Sequence, residues 1–120
     1  DFPDDLALQR LSREIYERGG VVGSVCHGYC GLLNTRLSDG KRLVADRRVT
    51  GFSWLEEILA GVSGKMPYNA EQQMRERGAL YQKAWLPFVS NVVTDGRLVT
   101  GQNPQSAKAT AEAVRRVLSA

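Results

Sequence analysis

The chain has 120 residues, of which 42% are hydrophobic and 24% are charged, a composition typical of one globular domain. Its 16 basic and 13 acidic residues leave a net charge of +3 and form no basic run, which disfavours nucleic-acid binding. No apolar stretch is long enough to cross a membrane, and the acidic start does not resemble a signal peptide. Because two cysteines, Cys26 and Cys30, are too few and too close for a disulfide framework, we expect a reducing, cytoplasmic setting.

The first elements in chain order are predicted to be a helix and a buried strand. Asp4 or Asp5 can cap a helix that ends at the glycine pair 19–20. Its apolar residues recur at roughly helical spacing and are Leu6, Leu8, Leu11 and Ile15. Residues 21–25 are small or β-branched and uncharged, which predicts a short buried strand. Residues 27–33 are then predicted to be helical.

The middle of the chain is predicted to hold short strands and two helices. Residues 42–45 and 48–51 are predicted to form two strands joined by a turn. Ser53 is predicted to cap a helix that runs to about Ala60. The apolar side of that helix is predicted to be Trp54, Leu55, Ile58 and Leu59. A further helix is predicted at residues 70–77, before Gly78.

The last third contains the clearest hairpin pattern, because residues 91–100 form two strand-like runs joined at Asp95-Gly96. Asn103 and Pro104 are expected to be a cap and a first helical residue rather than a ligand loop. The apolar side of the last helix is predicted to be Ala107, Ala111, Val114 and Leu118. This order of elements predicts an α/β layer architecture. Because one buried strand cannot make a sheet alone, most of the parallel sheet is expected to lie outside this chain or to come from another.

Residues 20–28, with the sequence GVVGSVCHG, carry the predicted chemistry. A hydrophobic strand ends at Cys26 and a helix starts at once, with the small residues Ser24 and Gly28 two positions to either side. This pattern is typical of a nucleophile elbow, whose tight turn lifts the nucleophile out of the sheet. The start of the helix is expected to lower the thiol pKa, and backbone N–H groups beginning with that of His27 to stabilise an oxyanion.

His27 is the only histidine, so a histidine base supplied by this chain must be the direct neighbour of Cys26. Adjacent residues in a regular helix do not face each other, so the pair requires an irregular turn. The alternative is a buried cysteine that ends a core strand, with His27 hydrogen-bonded to backbone. With one histidine and two cysteines, the chain lacks the ligands of a zinc site.

Five motifs stand along the whole chain: Val25-Cys26-His27-Gly28, Gly31-Leu32-Leu33-Asn34, Val49-Thr50-Gly51-Phe52, Glu56-Glu57 and Asp95-Gly96-Arg97-Leu98-Val99-Thr100-Gly101-Gln102-Asn103-Pro104. Their order and spacing together resemble the DJ-1/PfpI (ThiJ) superfamily, and best its Hsp31-like, glyoxalase III branch. The resemblance implies a flavodoxin-like (class I glutamine amidotransferase-like) three-layer sandwich. Residues 1–120 would then be the C-terminal part of one DJ-1/PfpI domain.

The resemblance also implies a catalytic site. Cys26 matches the family nucleophile and His27 the neighbouring catalytic histidine. The third member of the triad, seven positions after Thr50, is Glu57. A helical wheel does not distinguish Glu57 from Glu56, so Glu56 remains an alternative. A further glutamate and a second oxyanion donor would come from the N-terminal half of the domain, and no cofactor or metal is expected.

Tyr29 and Cys30 stand where family members usually have proline and a small residue. Tyr29 is expected to pack on the first helical turn, although it could line a pocket. Cys30 is expected to be a small buried residue; the alternative is a thiol that resolves an oxidised Cys26 as a disulfide. Trp54 and Trp85 are expected to be core or interface anchors, with a place at the pocket edge as the alternative.

The leading functional hypothesis is a cofactor-independent, cysteine-dependent glyoxalase III, or lactate dehydratase type lyase, that converts methylglyoxal to lactate. The alternatives are a cysteine peptidase or amidase, and a stress-response chaperone or redox sensor. The expected partners are the N-terminal half of the same domain, as a separate chain or a missing segment, and a small reactive carbonyl substrate. The complete domain is expected to form a homodimer, without nucleic acid or membrane partners.

Overall fold

A computed structural model describes all 120 residues and contains the mixed helices and strands of an α/β protein. The strands are β1 (Val22–Val25), β2 (Arg48–Val49), β3 (Leu80–Tyr81), β4 (Val92–Asp95) and β5 (Leu98–Gly101). The helices are α1 (Leu6–Glu17), α2 (Trp54–Leu59), α3 (Ala70–Glu76) and α4 (Ala107–Ser119). Short 3-10 segments cover Phe2–Asp4, Cys26–Leu32, Ser63–Lys65 and Pro104–Ser106. None of the helices combines the length and apolar character that spanning a bilayer requires.

The main sheet has the strand order β1-β5-β4. β1 runs parallel to β5, with Val22 opposite Leu98 and Val25 opposite Gly101. β4 and β5 form the predicted antiparallel hairpin, whose turn contains Gly96 with a φ of +59°. β1 has a hydrogen-bonded neighbour on one side only, so its other edge is open.

The predicted pair of strands at residues 42–45 and 48–51 is wrong. Only Arg48–Val49 is a strand, and it pairs in parallel with β3 rather than with its neighbour in sequence. Leu43 and Val44 are both fully buried in the core. Consecutive residues of a strand point to opposite faces, so two buried neighbours do not suit a strand of a surface hairpin. Asp46 turns the chain with a φ of +61° and donates its N–H to the carbonyl of Gly78 at 2.9 Å.

Two of the three predicted helix caps are confirmed. Asp5 accepts a hydrogen bond from the Leu8 N–H at 2.9 Å, and Ser53 forms a capping box with Glu56. Asn103 does not cap the following segment with its side chain. Pro104 nevertheless occupies the predicted first position, in a 3-10 turn that precedes α4.

The predicted apolar sides of α1, α2 and α4 are largely exposed in this chain. The exposed residues are Leu6, Leu11, Ile15, Leu55, Ile58, Leu59 and Leu118. The sides that face the interior carry Ser12, Tyr16, Glu56, Glu57, Thr110 and Ala113. Polar residues are tolerated there because they find hydrogen-bond partners. Thr110, for example, donates to the Ser106 carbonyl at 2.8 Å.

Candidate active site

Cys26 lies at the turn between β1 and the 3-10 segment Cys26–Leu32. Val25 is extended, with a φ of −139°, whereas Cys26 has a φ of +59°. A left-handed conformation costs a residue other than glycine about 1–3 kcal/mol and is often found at functional sites. The turn is tight: a Cβ atom added at Gly28 would lie 3.6 Å from the Cβ of Ser24. The predicted nucleophile elbow is therefore present as a backbone geometry.

The predicted helix at residues 27–33 is a 3-10 segment rather than an α-helix. Cys26 departs from regular 3-10 geometry, with a φ of +59°. Both cysteines are free thiols, and Cys30 is a buried residue, as expected. The alternative, that Cys30 resolves an oxidised Cys26, stays a prediction.

The irregular turn allows His27 to face its neighbour in sequence. His27 Nδ1 is 3.5 Å from the sulfur of Cys26, and His27 Nε2 is 2.6 Å from Oε1 of Glu57. When Nε2 carries the proton that it donates to the carboxylate, Nδ1 is free to accept the thiol proton. The structure thus brings the three predicted site residues together in the order thiol, imidazole, carboxylate.

Glu56 and Glu57 are both fully buried, but only Glu57 contacts the histidine. The second carboxylate oxygen of Glu57 has no hydrogen-bond partner. The Glu56 carboxylate accepts four hydrogen bonds and none from His27. The donors are the backbone N–H groups of Ser53 at 3.0 Å and Phe88 at 2.8 Å, and the side-chain amides of Gln102 and Asn103, each at 2.8 Å.

These hydrogen bonds keep Glu56 ionised in the interior. Burial alone would raise the pKa of its carboxyl group. The hydrogen bonds from Asn103, Gln102, Ser53 and Phe88 outweigh burial and lower the pKa below its ordinary value, because they stabilise the charged form.

The pKa of the Cys26 thiol is raised from the ordinary value of 9.0, so the prediction that the start of the helix lowers it is wrong. Burial is the largest cause, and the negative charges of Glu56 and Glu57 add to it, while a hydrogen bond from the His27 backbone acts in the opposite direction. Cys26 is therefore protonated at neutral pH. An attack by this thiol would require a base to take its proton, and the nearest ring nitrogen is His27 Nδ1, 3.5 Å from the sulfur.

Phe52 supports the imidazole and was not identified from the sequence. Its ring centroid is 4.6 Å from that of His27, and its N–H donates to the Cys26 carbonyl at 3.3 Å. The Tyr29 hydroxyl donates to the Phe52 carbonyl at 2.6 Å. Tyr29 is completely buried, so the expectation that it packs rather than lines a pocket is confirmed.

Gly51 makes room for this arrangement. A Cβ atom at Gly51 would lie 2.2 Å from the Tyr29 ring, a distance that no real contact allows. The Gly51-Phe52 pair could have indicated this arrangement in the sequence. The need for glycine there, however, comes from the ring of Tyr29, more than twenty positions earlier in the chain.

A cavity of about 450 Å³ opens beside the imidazole. It is lined by His27, Cys30, Val62, Lys65 and residues 66–68, together with the first three residues of the chain. Cys26 is not among the lining residues, so the cavity reaches the site from the side of the histidine and of Cys30. Trp54 and Trp85 do not line it. Trp85 is fully exposed, which contradicts a place in the core, while its expected role as an interface anchor stays a prediction.

Cys26 has a left-handed backbone conformation directly after a parallel strand, and its sulfur, the imidazole of His27 and the buried carboxylate of Glu57 contact one another in that order. This arrangement is typical of α/β proteins with a cysteine at a nucleophile elbow. A family model described as the DJ-1/PfpI family matches residues 1–116, and the chain belongs to this family. The resemblance and the flavodoxin-like α/β sandwich predicted from the sequence are both confirmed.

Relatives within the family are named as glyoxalases. Glyoxalase 3 of Candida albicans is 39% identical over 121 residues, which are 95% of this chain and 50% of that protein. The glutathione-independent glyoxalase HSP31 of Saccharomyces cerevisiae is 38% identical over 118 residues, 92% of this chain and 49% of that protein. The crystal structure of glyoxalase III from Candida albicans matches with a TM-score of 0.92 and 37% identity, over 98% of this chain and 51% of that one. The chain thus spans about half the length of the curated relatives it matches.

Proposed function

We propose that the protein is a glutathione-independent glyoxalase of the glyoxalase III type, which converts a small reactive carbonyl such as methylglyoxal to lactate. The observation that carries the proposal is the line of contacts from the Cys26 sulfur through His27 to Glu57. The names of the relatives support the same activity. Cys26, His27 and Glu57 are the proposed catalytic residues, and the proposed chemistry needs no cofactor.

In the first step, the Cys26 sulfur attacks the aldehyde carbon of methylglyoxal. His27 Nδ1 takes the thiol proton and passes it to the carbonyl oxygen, which gives a hemithioacetal. Proton removal during attack suits a thiol whose pKa is raised. Glu57 holds the imidazole in the required tautomer and stabilises the imidazolium that forms.

In the second step, His27 removes the hydrogen from the former aldehyde carbon, which gives an enediol. The enediol is protonated at the adjacent carbon and becomes a thioester of lactic acid. Water then hydrolyses the thioester and restores the thiol. One methylglyoxal and one water give one lactic acid, so the reaction requires no external oxidant or reductant.

The direct test is lactate formation from methylglyoxal without added glutathione, with the protein that carries this chain and the first half of the fold. Cys26→Ala should abolish the activity, whereas Cys30→Ala is the matched control and should keep it. Full activity of Cys26→Ala would contradict the proposal. Peptide and amide substrates assayed alongside test the alternative that the thiol serves a hydrolase.

We also propose that the open edge of β1 binds a strand from the N-terminal half of the domain. A cavity of about 460 Å³ lies between β1 and α4, lined by residues such as Gly23, Val25 and Val114. The buried hydroxyl of Ser24 has no hydrogen-bond partner. The relatives of about twice this length support a partner that covers this edge.

Hydrogen exchange tests the docking residue by residue. The Val22 N–H donates to the Arg97 carbonyl at 2.9 Å, and alternate residues of a strand point their N–H groups to opposite neighbours. The N–H groups of Gly23 and Val25 therefore point to the open edge. Both should gain protection when the N-terminal half binds, while Val22 keeps the protection it already has. Unchanged exchange at Gly23 and Val25 would contradict the docking proposal.

A second candidate function, the holding of unfolded client proteins, is favoured by the loop between β3 and β4. Trp85 is fully exposed and Leu86 is 63% exposed. The expected result is suppression of client aggregation that survives Cys26→Ala and is weakened by Trp85→Ser. Equal suppression by Trp85→Ser and wild type would remove the support for this candidate.

Two further expectations complete the proposal. Both cysteines are free thiols, which supports a reducing, cytoplasmic setting, and a fluorescently tagged protein should be found there. The completed domain is proposed to form a homodimer, which light scattering after gel filtration would measure directly.

A further inference from the structure

Glu56 joins three segments that are far apart in sequence. Its Oε1 accepts from the Ser53 N–H at the start of α2 and from the Gln102 side chain after β5. Its Oε2 accepts from the Phe88 N–H and from the Asn103 side chain. All four donors are neutral. A glutamine at this position has one oxygen and one NH2 group, so at least one side of the arrangement would meet donor with donor.

One of these segments leads to the imidazole. Phe88 has a φ of +59°, and the hydrogen bond from its N–H to Glu56 holds the backbone in this unfavourable conformation. The Phe88 ring centroid is 6.0 Å from that of Phe52. The Phe52 ring in turn lies against His27, with centroids 4.6 Å apart. The buried carboxylate is therefore connected to the histidine through two packed aromatic rings.

We propose that Glu56 is a positioning residue, which fixes Phe88 and thereby holds Phe52 against the imidazole of His27. This inference deepens the proposed function and rests on it for the catalytic consequence. It assigns a task to the Gln102-Asn103 pair, whose side chains bind Glu56 rather than a ligand. The inference also gives the two adjacent glutamates different roles. Glu57 contacts the imidazole, whereas Glu56 orders the aromatic residues that support the imidazole.

The single histidine gives a direct readout that does not depend on turnover. In the protein labelled with nitrogen-15 at histidine, one set of ring signals reports the tautomer and the hydrogen bond of His27. Glu56→Gln should shift or broaden these signals, and Phe88→Ala should do the same without changing any charge. In the completed enzyme, meaning the protein that carries this chain together with the first half of the fold, each variant should lower kcat by about 10- to 100-fold. This is the scale expected for a misplaced catalytic group, and KM should change little.

Glu71→Gln is the matched control. Glu71 also holds the start of α2, because it accepts the Trp54 N–H at 3.1 Å, but no hydrogen bond links it to Phe88. Glu71→Gln removes the charge that pairs with Arg75 and Lys83 and weakens the acceptor of the Trp54 N–H, so it should lower stability and leave the His27 signals unchanged. A shift of equal size in Glu71→Gln would show that any loosening of α2 moves the histidine, and would overturn the proposal.

The reactivity of Cys26 separates the charge of Glu56 from its positioning role. Glu56→Gln removes a negative charge that raises the pKa of the thiol, so the midpoint of iodoacetamide alkylation should move to lower pH. Phe88→Ala should leave that midpoint near the wild-type value. If Glu56→Gln does not fold, Phe88→Ala still decides, because unchanged His27 signals in a folded Phe88→Ala variant would overturn the proposal even where the glyoxalase activity is established.

Discussion

Replacing Cys26 by glycine is expected to stabilise the protein relative to replacement by alanine, although both variants lose the proposed nucleophile. Cys26 has a φ of +59°, and alanine at this position keeps the same steric conflict between Cβ and the backbone. A left-handed conformation costs an L-residue about 1–2 kcal/mol, and glycine avoids this cost. The elbow would thus be a place where the protein gives up stability for the orientation of a thiol.

The magnitude follows from two opposing terms. Glycine relieves about 1–2 kcal/mol of strain but loses about 0.5–1 kcal/mol because its unfolded chain is more flexible. Cys26→Gly should therefore be more stable than Cys26→Ala by about 0.5–1 kcal/mol. For a protein of this size, this corresponds to a rise in Tm of about 2–5 °C.

The measurement is urea unfolding followed by tryptophan fluorescence, with the preceding residue as the matched control. Val25 is extended, with a φ of −139°, so it carries no left-handed strain. Val25→Gly should be less stable than Val25→Ala by about 0.5–1 kcal/mol. The sign of the glycine effect is thus expected to reverse between neighbouring positions. A Cys26→Gly variant less stable than Cys26→Ala would refute the assignment of strain to the elbow.

Three further predictions concern the carboxylate, the packing and the thiol. Glu57→Gln should slow lactate formation by about 10²- to 10⁴-fold, the usual range for losing acid–base catalysis. The control Glu112→Gln, at an exposed position of α4, should not slow it, and equal rates in the two variants would contradict the proposed role of Glu57. Gly51→Ala should cost about 1–3 kcal/mol of unfolding free energy, because its Cβ would lie 2.2 Å from a buried ring, while Gly64→Ala, which meets nothing within 4 Å, should be nearly neutral. Cys26 should be alkylated with a midpoint above pH 9.0, since its pKa is raised. Folding then favours the protonated thiol, so the unfolding free energy should fall as pH rises through that midpoint, and this loss should be absent in Cys26→Ala.

Features determined by a few neighbouring residues could be predicted from the sequence. The hairpin at Asp95-Gly96, the caps at Asp5 and Ser53, and the turn at Cys26 each depend on residues within about four positions. The helix faces could not be predicted in this way. Hydrophobicity assigns the interior side of α2 to its leucines and isoleucine. The interior instead holds Glu56, whose carboxylate accepts hydrogen bonds from distant segments, and Glu57, which contacts His27 through one of its two oxygens.

The candidate site likewise combines features that neighbouring residues determine with features that distant residues determine. Cys26 and His27 are adjacent, so their pairing was a local question about the regularity of one turn. The choice between Glu57 and Glu56 depends on Phe88 and the Gln102-Asn103 pair, which are 31 or more positions away from either glutamate and give no signal near them. The raised pKa of the thiol has the same origin, since the burial and carboxylates that raise it come from tertiary packing.

The central claim, that His27 moves a proton between adjacent carbons of a substrate held on Cys26, is tested most directly by the reaction in deuterium oxide. The His27 side chain is 41% exposed, so a proton held there exchanges with solvent. Lactate formed from methylglyoxal by the completed enzyme should carry deuterium on the carbon that bears the hydroxyl group, as seen by NMR. Lactate that keeps the original hydrogen on that carbon would show that the hydrogen never reaches a base in exchange with solvent, and would contradict the account.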